Sequence, residues 1–397
     1  MSSGAANATA VGRPELQDLD AVRDLIRRVV QPLPPRRERI DRARGRRLAE
    51  DVFARVPLPA FDNTAMDGYA VRAAVVGRSR GIVQVSDTKP ICTGMPVPAG
   101  MDAIVPIERT RRSGDHIEVD GPVHSGDHIR RSGEELGRGC LALAAGAILT
   151  PAAIGLLAAV GVSELPVIPR PRVSILVTGD ELVGAGDELL PGQIHDADGP
   201  LLAALLEEAG ADVVARERVP DDPSRIRSAL VRLAGEADLV CTTGGASVGT
   251  RDHLIDLLGT LGTVEVQQVA IRPGRPTSMG RIGGTPVFVL PGNPLALLVG
   301  FEALVRPAVR RLAGLEMLRP SCECVAGEPF ERHDQLSFVP VHLESGSPAI
   351  ATPVRQRGSA MLAGAAIADG LARIEGGRGS VEVGECLTVD RWAGAAD

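Results

Sequence analysis

Apolar residues recur every three or four positions from residue 15 to 30 (Leu16, Leu19, Val22, Leu25, Ile26, Val29, Val30), which predicts an amphipathic helix. A second helix is expected over Arg39 to Ala49, and Val56-Pro57-Leu58-Pro59-Ala60-Phe61 then stops any helix. From there to about Gly146 short apolar runs alternate with glycine and proline, the pattern of a small β module. Leu141 to Val162 is apolar enough to suggest a membrane segment. Thr150-Pro151 falls at its middle as an N-cap and first-turn pair, and Gly161 closes the helix that begins there, so a strand, a turn and a short buried helix are expected instead.

From Arg172 to about Gly314 the pattern becomes strand and helix in alternation. Strands are predicted at Val173 to Val177, Val213 to Ala215, Leu239 to Cys241 and Val287 to Leu290, with helices near 199–209, 223–234, 251–259 and 294–313. That order predicts a parallel sheet flanked by helices. The tail from Cys322 to Arg391 has short runs separated by glycine, as in a small β-barrel or sandwich.

Composition narrows the classes. A chain of 397 residues with 44% hydrophobic content can bury several cores. A net charge of −7 and 2% aromatics argue against nucleic-acid binding, so an anion site has to be local. Lys89 is the only lysine, and the other basic residues are arginine. The six cysteines show neither paired CxxC spacing nor a dense disulfide pattern, which suits a reducing cytoplasm. Residues 1–13 are small and polar, a frayed terminus rather than a signal peptide. No membrane attachment is expected.

The candidate chemistry lies between Leu239 and Pro294. Two strand-like runs break into small-residue turns, Gly244-Gly245-Ala246-Ser247-Val248-Gly249 and Pro291-Gly292-Asn293-Pro294, and each is followed by a helical pattern. Such a break leaves backbone N–H groups converging at a helix start, a site for an anion. Between them Arg272 and Arg275 flank a stiff Pro273-Gly274 pair, suited to oxyanion contact. Acidic turns at Thr178-Gly179-Asp180-Glu181 and Pro220-Asp221-Asp222-Pro223 fall at the same strand ends, where carboxylates could hold a hard cation such as Mg²⁺. Asp221 and Asp222 could equally cap the helix that starts at Pro223, and Asp180 and Glu181 could belong to a solvated turn. No Walker loop, GxGxxG, GxSxG or HExxH occurs.

Several longer motifs then coincide: Phe61-Asp62-Asn63-Thr64-Ala65-Met66-Asp67-Gly68-Tyr69-Ala70, Thr93-Gly94, Ile129-Arg130-Arg131-Ser132-Gly133-Glu134-Glu135, Thr178-Gly179-Asp180-Glu181-Leu182, the Gly244 to Gly249 string and Pro291-Gly292-Asn293-Pro294. Together, over residues 15–392, the chain resembles the molybdopterin molybdenumtransferases of the MoeA type, which include the gephyrin E domain. The resemblance implies a multidomain α/β plus β fold. Its parts would be a linker domain (14–60 and 147–170), an inserted β module (61–146), a three-layer parallel-sheet α/β domain of the molybdopterin-binding type (171–318) and a C-terminal β-barrel (319–397). It also implies a cytoplasmic homodimer that inserts molybdate into adenylylated molybdopterin with Mg²⁺ and releases AMP, with the upstream adenylyltransferase as a further partner.

Carried over by motif, the catalytic set would be Asp67, Glu135, Glu181, Asp221 and Asp252, with Glu181, Asp221 and Asp252 holding the metal. Thr93, Arg130, Gly244, Gly245, Ser247, Gly249, Arg272, Arg275, Pro291, Gly292, Asn293, Pro294 and Ser359 would bind substrate. The chain departs from the family pattern at several points. Arg272 and Arg275 replace lysines, Gln268 stands where another lysine is common, and Glu135 replaces aspartate. His195 and Asp198 replace tyrosine and asparagine, and Pro340 replaces arginine. A non-catalytic molybdopterin-binding scaffold, a molybdopterin adenylyltransferase, and tungstate in place of molybdate stay open as alternatives.

Overall fold

The computed structural model describes residues 16–78, 81–244, 250–354 and 362–392, without the side chains of 250–252. Contacts divide the chain into two units: residues 1–34 with 169–397, and residues 35–168.

The first unit is built on a six-stranded sheet. Asp212–Val219, Arg172–Thr178, Leu239–Gly244 and Thr285–Leu290 run parallel in that order, as the alternation predicts. Two further strands, Ser278–Ile282 and Thr263–Val266, join antiparallel at the edge. The apolar pattern does not predict these two. Gly283 and Gly284, with φ of 57° and 94°, make the two-residue turn that folds Ser278–Ile282 back on Thr285–Leu290.

Each strand divides its apolar residues by parity, because successive side chains leave opposite faces. Ile175, Val177, Cys241, Phe288 and Leu290 point to one core; Leu176, Val240, Val287 and Val289 point to the other. The second core is covered by Pro223–Glu236 and Thr250–Leu261, through Ile226, Leu230, Leu254 and Leu258. The first is covered by Asp198–Ala209, by the helical run from Pro294 to Leu312, and by the N-terminal helix Leu19–Val29. Phe301–Val305 is a π-helical turn inside that run.

The first helix is an 11-residue segment capped by Asp18, whose Oδ1 accepts from the amides of Asp20 and Ala21. A helix so short is marginal alone in water. Burial of Leu19, Val22 and Ile26, at ~1.5–3 kcal/mol each, holds it in place. The expected linker domain starts at residue 14, whereas these contacts group residues up to Pro34 with the sheet.

The tail forms a closed five-stranded barrel, Leu336–Glu344, Ala349–Pro353, Ser321–Ala326, Cys386–Arg391 and Gly370–Ile374, with the last strand pairing back to the first. The short strand Ile271–Arg272 runs parallel to Leu336–Ser337 and so joins the arginine loop to the barrel wall. A largely buried ion network ties two helices to the segment that enters the barrel. Glu302 and Glu208 accept from both Arg306 and Arg319, with Arg306 Nε at 2.6 Å and Arg319 Nε at 2.9 Å from Glu302 Oε2.

The second unit corrects one expectation. Residues 39–49 are not a helix: Arg36–Arg39 is a strand, and Ile40–Arg42 is a single 3₁₀ turn. Antiparallel pairing of Arg36–Arg39 with Glu164–Val167 overrides the local helical tendency, and Ala43 and Leu48 are buried from irregular backbone. The apolar run divides as expected into the strand Leu141–Leu143 and the helix Pro151–Ala159, with Thr150 Oγ1 accepting from Ala153 N at 3.2 Å. Among the described residues no helix is long and apolar enough to cross a membrane. Residues 61–130 supply small sheets, including Gly68–Val71 between Lys89–Ile91 and Ala103–Pro106, and the pair Asn63–Thr64 with Ile129–Arg130.

Candidate active site

The parallel strands end together, so their following turns meet along one sheet edge. Gly244 ends its strand there, where Thr178 Oγ1 donates to Thr243 O at 3.5 Å. The next turns are tied to one another: Asp221 N donates to Asp180 Oδ1 at 3.1 Å, and Ile194 N donates to Glu181 O at 2.9 Å. The two neighbouring acids of the second turn have separate tasks. Asp222 caps Pro223–Glu236, its Oδ1 accepting from Ser224 N and Arg225 N at 2.9 Å. Hydrogen bonds from the Ser224 hydroxyl and the Arg225 amide hold its carboxyl below the usual carboxylate range. The Asp221 amide is the group that reaches Asp180 across the turns.

Gly245, Ser247, Gly249 and Ser359 lie outside the described residues, as does the side chain of Asp252. Among the described residues no cluster of three or more His, Cys, Asp and Glu side chains could hold a metal. The donors that are described, Glu181 and Asp221, are carboxylates on adjacent turns, the hard oxygen ligands that suit Mg²⁺.

On the sheet's first-core side the arginine loop faces the barrel across a cavity of about 1220 Å³. Arg272, Arg275, Pro291 and Asn293 line one wall; Arg332, His333 and Pro340 are on the other. Gly274, with φ of 108°, lets the loop turn where a Cβ would approach Ala296 O at 3.2 Å. Among the described residues the Arg272 guanidinium has no hydrogen bond or ion pair, whereas Arg275 Nε donates to Gln268 Oε1 at 3.1 Å. Pro291 and Asn293 lead into the helix at Pro294. Pro340 is buried in the barrel strand and its carbonyl accepts from Val354 N at 2.9 Å, so the cation of that wall is Arg332, with His333 beside it. Arg332 carries no signal in the sequence, because only the barrel's closure places it opposite the arginine loop.

A buried acid borders the same edge. Asp198 Oδ2 accepts from Thr243 Oγ1 at 2.8 Å, and the same hydroxyl lies 3.4 Å from Pro291 O. Burial pushes the Asp198 carboxyl up to about 6, with the Thr243 bond opposing and Asp196 adding to the rise. Its only signal in the sequence is its departure from the family's asparagine.

In the second unit the structure joins two expected residues directly. Asp67 Oδ1 accepts from Thr93 N at 2.6 Å and from Thr93 Oγ1 at 2.8 Å, and these two bonds hold its carboxyl below the usual range. Arg130 lies on the strand paired with Asn63–Thr64, its exposed guanidinium without a hydrogen bond or ion pair among the described residues. Glu135 is exposed, with its amide donating to Leu58 O at 3.0 Å. Asp62, which the motif leaves without a role, fixes this surface by accepting from Ser132 N at 2.8 Å and Arg131 Nη1 at 2.7 Å.

Comparison with known proteins agrees along most of the chain. Residues 17–161 match the MoeA N-terminal region (domain I and II), 174–311 a probable molybdopterin binding domain, and 325–392 the MoeA C-terminal region (domain IV). A molybdopterin molybdenumtransferase 2 of Mycobacterium tuberculosis is 41% identical over 302 residues, covering 70% of this chain and 75% of that protein. The molybdopterin molybdenumtransferase of Haemophilus influenzae is 35% identical over 301 residues, covering 71% and 74%. A crystal structure of the molybdopterin biosynthesis MoeA protein of Pyrococcus horikoshii superposes with a TM-score of 0.79 at 28% identity, covering 96% of this chain and all of that one. With these relatives and the three domain matches in the MoeA order, the chain belongs to the MoeA-type molybdopterin molybdenumtransferase family.

Proposed function

We propose that this protein inserts molybdenum from molybdate into adenylylated molybdopterin, releasing AMP and the finished cofactor. The observation that carries the reading is the Arg272–Arg275 loop facing the barrel across a cavity large enough for a pterin nucleotide and an oxyanion together. Arg272, without a hydrogen bond or ion pair among the described residues, can take a molybdate or phosphate oxygen, while Gln268 keeps Arg275 directed without adding a competing charge. Backbone N–H groups at the Pro291 turn offer further donors.

Glu181, Asp221 and Asp252 would hold Mg²⁺, which when bound would neutralise phosphate charge. The chain's own groups position the reactants: arginines fix anions, carboxylates orient the oxygen leaving the metal oxyanion, and the barrel wall excludes water. Arginine stays protonated, so Arg272 and Arg275 act as binders rather than bases. We place the enzyme in the cytoplasm as a homodimer, each subunit's Asp67, Thr93, Arg130 and Glu135 serving the partner's site. Gln268 and Pro340 are the departures that favour a scaffold; the Gln268–Arg275 bond and the cation at Arg332 support catalysis instead.

Purified protein given adenylylated molybdopterin, Mg²⁺ and molybdate is expected to release AMP in step with molybdate insertion. Binding of molybdopterin without AMP release would overturn the reading.

A further inference from the structure

Asp198 is 8% exposed, and its Oδ1 is buried without a hydrogen-bond partner among the described residues. It begins the helix Asp198–Ala209 but does not cap it, since Gly199 N donates to Asp196 Oδ1 at 2.8 Å. No cation is paired with it among the described residues, and the charged neighbour that acts on it is Asp196, of the same sign. The other charges on the packed elements are engaged elsewhere or exposed. Arg216 and Arg218 on the edge strand are exposed, and Glu217 pairs with Arg232. Glu208 meets Arg306 ten residues along the helix, about 15 Å away.

The hydroxyl of Thr243 has one proton and two acceptors, Asp198 Oδ2 and Pro291 O. With Asp198 ionised, that proton goes to the carboxylate and the Pro291 carbonyl loses its donor. With Asp198 protonated, the acid donates to Thr243 and Thr243 donates to Pro291. A buried carboxylate with no cation and one bare oxygen favours the second arrangement.

We propose that Asp198 is a positioning residue that holds the Pro291 turn through Thr243 when it is the neutral carboxylic acid, and that oxyanion binding in the cavity lined by that turn is coupled to proton uptake at Asp198. The coupling rests on the oxyanion reading of the cavity. An arriving anion adds like charge beside a carboxylate, so the carboxylate takes a proton from solvent and becomes the uncharged acid. Asparagine, with an amide donor, reproduces the acid's hydrogen bond and cannot take up the proton.

Two measurements on the full chain test this. Without ligand, the melting temperature of the wild type is expected to fall as pH rises. The folded-state value is raised above 3.8, so the acid's contribution is fully present below 3.8 and is lost as pH rises through about 6. Asp198→Asn is expected to be flat across that window and to melt higher than wild type above it. In the second measurement, molybdate is titrated calorimetrically at about pH 7.5 in buffers of different ionisation enthalpy. The expected result is uptake approaching one proton per ion in the wild type and none in Asp198→Asn, with the wild type binding about thirtyfold more weakly at that pH because only about one Asp198 in thirty is already protonated there. Matching pH profiles for the two proteins would overturn the neutral acid, and matching proton uptake would overturn the coupling. Absence of molybdate binding to both proteins, with the melting difference intact, would overturn the cavity reading and the coupling while leaving the acid form supported.

Discussion

Arg275 Nε donates to Gln268 Oε1 at 3.1 Å, so two departures from the family's lysine pattern compensate one another. Lysines at both positions would repel; an amide oxygen beside a guanidinium attracts and orients it. Gln268→Ala frees the guanidinium to swing. A neutral-to-charged hydrogen bond, weakened by exposure, is worth ~1 kcal/mol, so the molybdate concentration for half-maximal rate should rise about fivefold. The rate at saturating molybdate should stay as in wild type, and steady-state kinetics with varied molybdate checks both.

The two acids of the second turn should separate cleanly. Asp222→Ala removes the cap over Ser224 and Arg225 and is expected to lower the melting temperature by a few degrees, with activity retained below the transition. Asp221→Ala should leave the melting temperature unchanged and cut turnover sharply. Calorimetry and AMP release on the same samples distinguish these outcomes.

Asp67 is held by Thr93 through both an amide and a hydroxyl. Asparagine keeps the oxygen acceptor and loses the charge, so Asp67→Asn should fold as wild type and lose most of its activity. Because the folded carboxyl titrates below its ordinary value, its stabilising contribution is present above 3.8 and is lost only as pH falls through the lower folded value. The Thr93 turn should therefore survive mild acid, which amide exchange at Thr93 would report.

Glu302 joins Arg306 and Arg319, with side-chain exposures of 7%, 4% and 9%. Glu302→Ala leaves two guanidinium groups without their main buried partner. Breaking a buried pair in this way costs ~3–5 kcal/mol, enough to lower the urea midpoint visibly. A midpoint equal to wild type would mean that Glu208 alone suffices.

The parity of apolar residues makes the parallel strands readable, because Ile175 and Val177 must leave one face while Leu176 leaves the other. Thr150-Pro151 marks a helix start in an otherwise uniform apolar run for an equally local reason. Where contacts are distant, the sequence misleads or falls silent. Arg36–Arg39 is a strand because Glu164–Val167 lies beside it, and no nearby residue announces that pairing. The separate tasks of Asp221 and Asp222 depend on which carboxylate the helix amides reach, which spacing leaves open. Asp198 stands out only as a replacement, since its burial arises from helix and sheet packing. Arg332 needs the closed barrel before it can be placed across from Arg272.

Ile271–Arg272 shares backbone hydrogen bonds with Leu336–Ser337, so the loop bearing the arginines and the barrel opposite it are stitched at one margin of the cavity. The spacing beside Arg272 is therefore kept by the ladder itself, whatever enters the rest of the cavity. Substitutions that loosen the barrel should consequently be felt first as blurred selection among oxyanions rather than as loss of nucleotide entry.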